Sequence, residues 1–527
     1  MKVTYIGHAG LYIETAGGSI LCDPWFNPAY FASWFPFPSN EDVDIEAIAS
    51  PDYLYVSHLH HDHFDPEFLA ARVSRAATVL LPDFPLGELR RELTNLGFSR
   101  FQVLPNAVPV DLDGLRVMAA TAVGPSDGPF GDSALAVDDG TARLFNQNDA
   151  RPRDLDAIRA FGPFDAHFLQ FSGAIWYPVV YDMPAEEKAD AGREKRLRGM
   201  DRAALFAQEV DAADLFPCAG PPCFLDDTLF GFNDVDGDRA NPFPDQTVFI
   251  DYLERRGRSN AHLVVPGTVV TLADGACQVD QPVGEEELLA PFRDKRAYLE
   301  AYRDRQRPAI EAAHASWPRP GEVDVVAELQ AWWGPLLKQG ERLCFNVGTP
   351  VLLEAGGVAV VIDFRTHQVR AHAGEYCPYR FRVEPGVVEA CIRDRSDDWV
   401  NGLFLSLRFT ASRDWAYNEH IYTFFKCLSE ERMRYQESWA ASGSSVLAGQ
   451  ARVVWGQARE PAGDEWCEID GWRVQGRCPH LQGDLTRFGS ITDDVLTCKL
   501  HGYQFDLVSR QCLTTGEPDA IKADRIN

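Results

Sequence analysis

The 527-residue sequence contains no apolar stretch approaching the length of a membrane span, so the usual helical membrane protein is excluded. Basic residues are in short supply. Lysine and arginine number 50 against 78 aspartates and glutamates, a formal net charge of −28, which argues against nucleic acid or an anionic membrane as a general partner. An anionic substrate would need a local basic pocket. The opening MKVTYIGHAGLYIE alternates like a strand and lacks the charged start and unbroken apolar run of a signal peptide. The twelve cysteines are scattered, and only Cys478 and Cys498 sit in a chemically suggestive spacing. That excludes a disulfide framework and points to a reducing compartment, the cytoplasm. There is no internal repeat, low-complexity tract, G-x-G-x-x-G fingerprint or Walker-type loop. The chain therefore carries no sequence mark of its own nicotinamide, flavin or ATP site.

What is present is an ordinary globular composition, 45% hydrophobic and 24% charged, in a chain long enough for two or three domains. Up to about residue 271, short apolar strands such as KVTYIG, SILCDP, YLYVSH and HFLQFS alternate with helical segments and loops, an α/β pattern. From residue 285 the spacing turns helical, with Leu288, Phe292, Leu299 and Tyr302 on one face, and strand-like runs return over 341–412. A helical stretch over 417–439 leads into ASGSSVLAGQ, which reads as a linker. The expected division is 1–284, a small α+β middle domain over 285–440, and a last domain from 446 to 527.

Near the end the chain reads Cys478-Pro479-His480, seventeen residues, then Cys498-Lys499-Leu500-His501. Two thiolates suit one iron and two imidazoles another, the mixed ligation of a high-potential [2Fe–2S] cluster. A structural zinc site is the alternative, since two Cys and two His also satisfy tetrahedral zinc. The crossed pairing of Cys with His in each loop, with Gly483 and Gly502 following, resembles the Rieske family over about 446–522. This resemblance implies an all-β domain.

A second cluster, His58-Leu59-His60-His61-Asp62-His63, follows the strand YLYVS. In an extended loop, residues two apart face the same way, so His58 and His60 suit one metal while Asp62 and His63 reach a second position. The alternative is a solvated polar loop. With GHAG at 7–10, CDPW at 22–25 and NQND at 146–149, the pattern resembles the αββα metallo-β-lactamase fold over about 1–270, and Asp149 matches that family's bridging carboxylate. Two usual histidine ligands are missing. None occurs between His63 and His167, and LFPCAGPP stands at 215–222 where the last is expected; Asp127, Asp132, His167 and His262 are the available substitutes. Asp23 reads first as a turn cap, with orientation of a histidine as its other role, and His8 in GHAG reads first as a structural hydrogen-bonding group, with approach to the metal as its other role.

A Rieske cluster moves single electrons, for which a hydrolase has no use, so the second metal is expected to be redox-active iron, one or two ions with open positions for O2. The combination resembles the CMP-N-acetylneuraminate hydroxylases, as do FSGAIWYP at 171–178, WVNGLFLSLRF at 399–409 and YNEHIYTFFKCLSEER at 417–432. Here the Rieske domain is C-terminal, whereas in the sialic-acid enzymes it is N-terminal. The resemblance implies an O2-dependent hydroxylase of an N-acyl or amino-bearing polar metabolite such as a nucleotide sugar, with Asp62 and Asp149 in catalytic roles. Electrons would come from a ferredoxin- or cytochrome-type donor drawing on an NAD(P)H reductase, passing within one subunit or across two of a homo-oligomer. The loop residues Ser172, Gly173, Trp176 and Tyr177 and the charged run GREKRLRGMDR at 192–202 are candidate substrate contacts, or ordinary loop packing and a solvated helix face. A hydrolase with an accessory Rieske domain and a non-catalytic electron carrier are the competing functions.

Overall fold

The computed structural model describes residues 1–124, 128–173, 175–442, 466–480, 483–517 and 520–526. The start expected for the last domain near residue 446, most of the linker before it, and Asp127 lie outside these residues. Contacts divide the chain into two units, one of residues 1–123, 130–319 and 401–409, the other of 124–129, 320–400 and 410–527.

The first unit is built on two sheets. One has eight strands in the order Ala276–Asp280, Val269–Ala273, Lys2–Gly7, Gly10–Thr15, Gly18–Cys22, Tyr53–Tyr55, Thr78–Pro82 and Phe101–Leu104. The other has six, Asp214–Cys218, Ala166–Gln170, Arg143–Asn148, Gly128–Asp138, Leu115–Gly124 and Val110–Leu112. Alternate residues of both sheets, among them Val3, Leu11, Ile13, Leu135, Val137, Leu144, Phe168 and Phe216, make the core between them, as the two-residue period of a strand requires. The opposite faces are covered by helices. Phe68, Leu69, Leu89 and Leu93 pack on Leu21, Leu54 and Val79, while Met200, Ala203, Ala207, Phe249 and Leu253 pack on Leu169 and Leu215. This is the αββα metallo-β-lactamase sandwich expected from the sequence.

The helices Glu285–Arg293 and Lys295–Ser316 belong to this unit and not to the middle domain. Their helical spacing was legible, but their partner was not. Leu299, Tyr302 and Ile310 bury against Phe35, Cys223 and Leu225, residues scattered through the first 225 positions.

In the second unit, helix Val325–Gln339 packs beside a five-stranded sheet ordered Gln368–Ala371, Val358–Asp363, Pro350–Ala355, Tyr379–Val383 and Phe409–Arg413. Trp333 and Trp399 pack edge to face, 4.8 Å between ring centroids, with Phe424 and Phe425 around Trp333. The last domain is two three-stranded sheets. One comprises Trp466–Ile469, Trp472–Gln475 and Ala523–Arg525, the other Gly489–Thr492, Val495–Cys498 and Tyr503–Asp506. No helix among the described residues is long and apolar enough to cross a membrane.

Candidate metal centres

The histidine-rich loop leaves strand Tyr53–Tyr55 and turns tightly, with the backbone amides of His63 and Phe64 donating to His60 O at 2.9 and 2.7 Å. Asp65 then caps helix Pro66–Arg72 through the amide of Phe68 and also accepts from the amides of Phe26 and Asn27. Both ends of the loop are therefore fixed.

Three overlapping groups of donor atoms result, each spanning no more than 4.8 Å: His58, His60 and Asp132; His58, His63 and Asp149; and His8, Asp62 and His63. His58 Nε2 lies 3.8 Å from both Asp132 Oδ1 and Asp149 Oδ2. Asp149 Oδ2 is 3.6 Å from His63 Nε2, so this one carboxylate faces both sides of the pocket. His63 Nε2 is 3.7 Å from Asp62 Oδ2, and His8 Nε2 is 2.9 Å from the same oxygen. The sequence-predicted residues His58, His60, Asp62, His63 and Asp149 are thus brought together.

His8, read from sequence as structural, joins them. Its signal was its place in the G-H-A-G turn, where Ala219 N reaches back to His8 O at 2.8 Å. Asp132 takes the position for which the sequence offered four substitutes. His167 is buried elsewhere with Nε2 2.9 Å from Gln147 Oε1, and His262 pairs with Asp214 at 2.6 Å. Asp23 orients a histidine instead of merely capping a turn. It accepts from His63 Nδ1 at 3.0 Å and from the amide and hydroxyl of Ser57, both at 2.7 Å.

These contacts aim the donors. With Nδ1 of His63 committed to Asp23, and Nδ1 of His58 2.9 Å from Ser57 Oγ, the Nε2 atoms face the pocket. Tyr30 donates to Asp62 Oδ1 at 2.6 Å, leaving Oδ2 inward. Asp149 is turned in by a bulge. The register of strand Arg143–Asn148 shifts after Asn146, Asn148 adopts φ 46°, and its side chain accepts from the amides of Asp149 and Ala150. Ser133 ties the Asp132 strand to the loop by donating to Ser57 O at 2.7 Å.

His58 Nε2, His63 Nε2 and Asp149 Oδ1 are buried without hydrogen-bond partners. Such orphans in one pocket are costly unless a cation satisfies them. Burial, reinforced by His63, pushes His58 well below the ordinary imidazole range, and burial with His58 does the same to His60; both therefore offer lone pairs. Burial works against His63 too, but Asp149, Asp62 and Asp23 outweigh it and hold the group at about 10. The residues fit a metal centre, and the mixture of imidazole with carboxylate suits iron as well as zinc.

In the second unit the buried Cys478 and Cys498 meet, and the hydrogen bond between their thiols lowers Cys498. The rings of His480 and His501 stand 5.3 Å apart at 80°. Nδ1 of each is buried with no partner. A Cβ on Gly483 would lie 3.1 Å from Leu500 Cδ2 and 3.5 Å from Cys498 Sγ, so the glycine keeps open the space beside the donors. Two thiolates and two unpartnered Nδ1 atoms fit a [2Fe–2S] cluster held by Cys478, His480, Cys498 and His501. Sequence reasoning missed Glu419 and Tyr503. Glu419 Oε2 accepts from His480 Nε2 at 2.9 Å and from Tyr503 OH at 2.5 Å, and the Tyr503 ring stacks on His480, 3.5 Å between centroids.

Of the candidate substrate contacts, Ser172 is buried with its hydroxyl unpartnered, Trp176 packs on Phe404, and Lys195 Nζ sits 5.7 Å from the Tyr177 ring centroid. The charged run lies in helix Ala185–Val210. Arg196 is not at a solvated face but buried in an ion pair with Asp234 at 2.9 Å.

Fold and donor sets together define a metallo-β-lactamase-fold chain carrying a C-terminal Rieske domain. Residues 2–128 match the beta-lactamase superfamily domain, 325–442 the Rv3818-like, SCP2-like domain, and 445–523 the Rieske [2Fe-2S] domain. The chain belongs to the family of the Rieske 2Fe-2S iron-sulfur protein Rv3818 of Mycobacterium tuberculosis, with which it is 45% identical over 98% of both chains. Similarity to the cytidine monophosphate-N-acetylneuraminic acid hydroxylase of Mus musculus is 25% over 128 residues, 22% of this chain and 21% of that one. The sialic-acid resemblance therefore holds over part of the chain. Among solved structures, CmlA, a diiron beta-hydroxylase from Streptomyces venezuelae, aligns over 52% of this chain and 54% of its own at 16% identity and TM-score 0.35. An isothiocyanate hydrolase from Delia radicum gut bacteria aligns over 52% and 99% at 16% identity and TM-score 0.36.

Proposed function

We propose that the chain is a Rieske-dependent non-haem iron oxygenase that hydroxylates an N-acyl or amino-bearing polar metabolite, such as a nucleotide sugar, with O2 and externally supplied electrons. The observation that carries this reading is the pair of histidine and carboxylate groups His58–His60–Asp132 and His8–Asp62–His63, linked by a third group of His58, His63 and Asp149, in the same chain as a Rieske domain. Iron at the first site would supply O2 chemistry, and a cluster held by Cys478, His480, Cys498 and His501 would supply electrons singly.

His58, His60 and Asp132 would hold one iron and His8, Asp62 and His63 a second, with Asp149 serving both. Asp23 keeps His63 in the tautomer that presents Nε2, and the Tyr30 hydroxyl keeps one oxygen of Asp62 from rotating away. His60 and Asp132 are only half-buried, so their side of the pocket is where a substrate reaches the donors. Lys195, on helix Ala185–Val210, lies among basic residues. Burial, then Arg202, Arg198 and Arg151, depress it to about 8. Electrons would arrive from a ferredoxin- or cytochrome-type donor with its NAD(P)H reductase.

The test is turnover of the full chain, with a reduced ferredoxin-type donor and 18O2, against amino- and N-acyl-bearing polar metabolites, nucleotide sugars first. One 18O atom in the product, lost in Asp132→Ala and His58→Ala, is expected. Incorporation from water alone, with zinc in the protein, means hydrolysis.

A further inference from the structure

The cluster-binding loops are not the only part of the chain in contact with the cluster's histidines. Glu419 opens helix Glu419–Lys426, within the 325–442 match and therefore outside the Rieske match at 445–523. It lies 61 residues before His480, yet its Oε2 accepts the Nε2 proton of that histidine at 2.9 Å. The same oxygen accepts the Tyr503 hydroxyl at 2.5 Å, and the Tyr503 ring lies flat on His480, interplanar angle 11°. The imidazole is clamped on one face and at one nitrogen, and its other nitrogen, Nδ1, is the buried unpartnered one.

We propose that Glu419 is a positioning residue for the Rieske cluster: it fixes His480 as the Nε2–H tautomer with Nδ1 free for iron, and its negative charge lowers the cluster's reduction potential. Both effects follow from elementary electrostatics. A hydrogen bond from a ligand's far nitrogen to a carboxylate raises the basicity of the near one. An adjacent anion disfavours the added electron. The couple is a one-electron reduction by an external donor; no bond breaks, and the Nε2 proton stays on His480. A domain outside the Rieske fold thereby sets how readily the cluster accepts and passes on its electron.

A purely structural role for Glu419 is the rival, because an acid in a helix's first turn favours the helix whatever it touches. The helix already has a cap in Asn418, which accepts from the amide of His420 at 3.0 Å. Stability cannot separate the two roles, but potential can. The inference rests on the cluster assignment, which the Rieske-type EPR signal of the dithionite-reduced wild-type chain tests separately.

The experiment is an EPR-monitored redox titration of the full chain at fixed pH, comparing wild type with Glu419→Gln and Glu419→Asp. Glu419→Gln keeps an acceptor and loses the charge. We expect its reduced-to-oxidised ratio at a given applied potential to rise about tenfold, an upward shift of ~59 mV for a one-electron couple. Glu419→Asp keeps the charge and should stay within about threefold of wild type. Equal potentials in wild type and Glu419→Gln, or equal shifts in both variants, overturn the proposal. Should Glu419→Gln bind no cluster, Glu419→Asp decides: a wild-type potential sustains the assignment of the charge, and a tenfold shift overturns it.

Discussion

Each metal donor in the first unit is as much the product of the residue behind it as of its own chemistry. His63 faces the pocket because Asp23, fully buried, accepts a hydrogen bond from its Nδ1. Asp23→Asn removes the charge while preserving shape and is expected to weaken metal binding by about 10–100-fold, measured by competition with a chelator, with little change in the fold. His8→Ala, which removes a donor of the same cluster, is expected to lower metal occupancy in the same chelator competition. The H-x-H-x-D-H loop was legible because its ligands are neighbours in sequence. His8 and Asp132 could be weighed but not singled out, since they lie 50 residues before and 74 after His58 and meet it only through the fold. A titration follows from Lys195, whose folded value of about 8 lies below its ordinary 10.5. The unfolded chain binds that proton more tightly, so stability increases as pH rises from 8 to 10.5. Lys195→Met should be more stable than wild type at pH 7 and indistinguishable from it above pH 10.5, by denaturant unfolding at both values.

At the scale of elements, the site depends on where strands end and how they bend. The bulge after Asn146 turns Asp149 inward, and nothing in NQND announces it beyond asparagine's tolerance of the left-handed region. The alternating strands and the helical face over 285–302 were readable from their periods. Which segments that face would meet was not, because period reports burial and not partner. Leu299→Ala tests the observed packing against Phe35 and Cys223. It should cost about 2–5 kcal/mol and lower the thermal midpoint of the first unit. In the last domain, Gly483→Ala places a methyl 3.1 Å from Leu500 and 3.5 Å from Cys498 Sγ. The expected outcome is loss of most of the cluster, read as the visible absorbance and EPR intensity per protein.

Across the whole molecule, the order of modules was legible because each carries a local motif: the histidine loop in the first and the two Cys/His loops in the last. The middle domain has no such motif, and its identity came from likeness to its relatives alone. A net charge of −28 sets a condition on the proposed electron donors, since an acidic carrier must find a neutral or basic patch against that background.

On the proposed function, one chain holds iron in two chemically distinct places. Anaerobic metal analysis with EPR, on the full chain and on its Cys478→Ser variant, tests it most directly. A reduced Rieske signal is expected in the wild type, and the variant is expected to lose this signal yet keep iron that is removed by adding His58→Ala and His63→Ala. Zinc, or no metal at all, in the Cys478→Ser variant would contradict it.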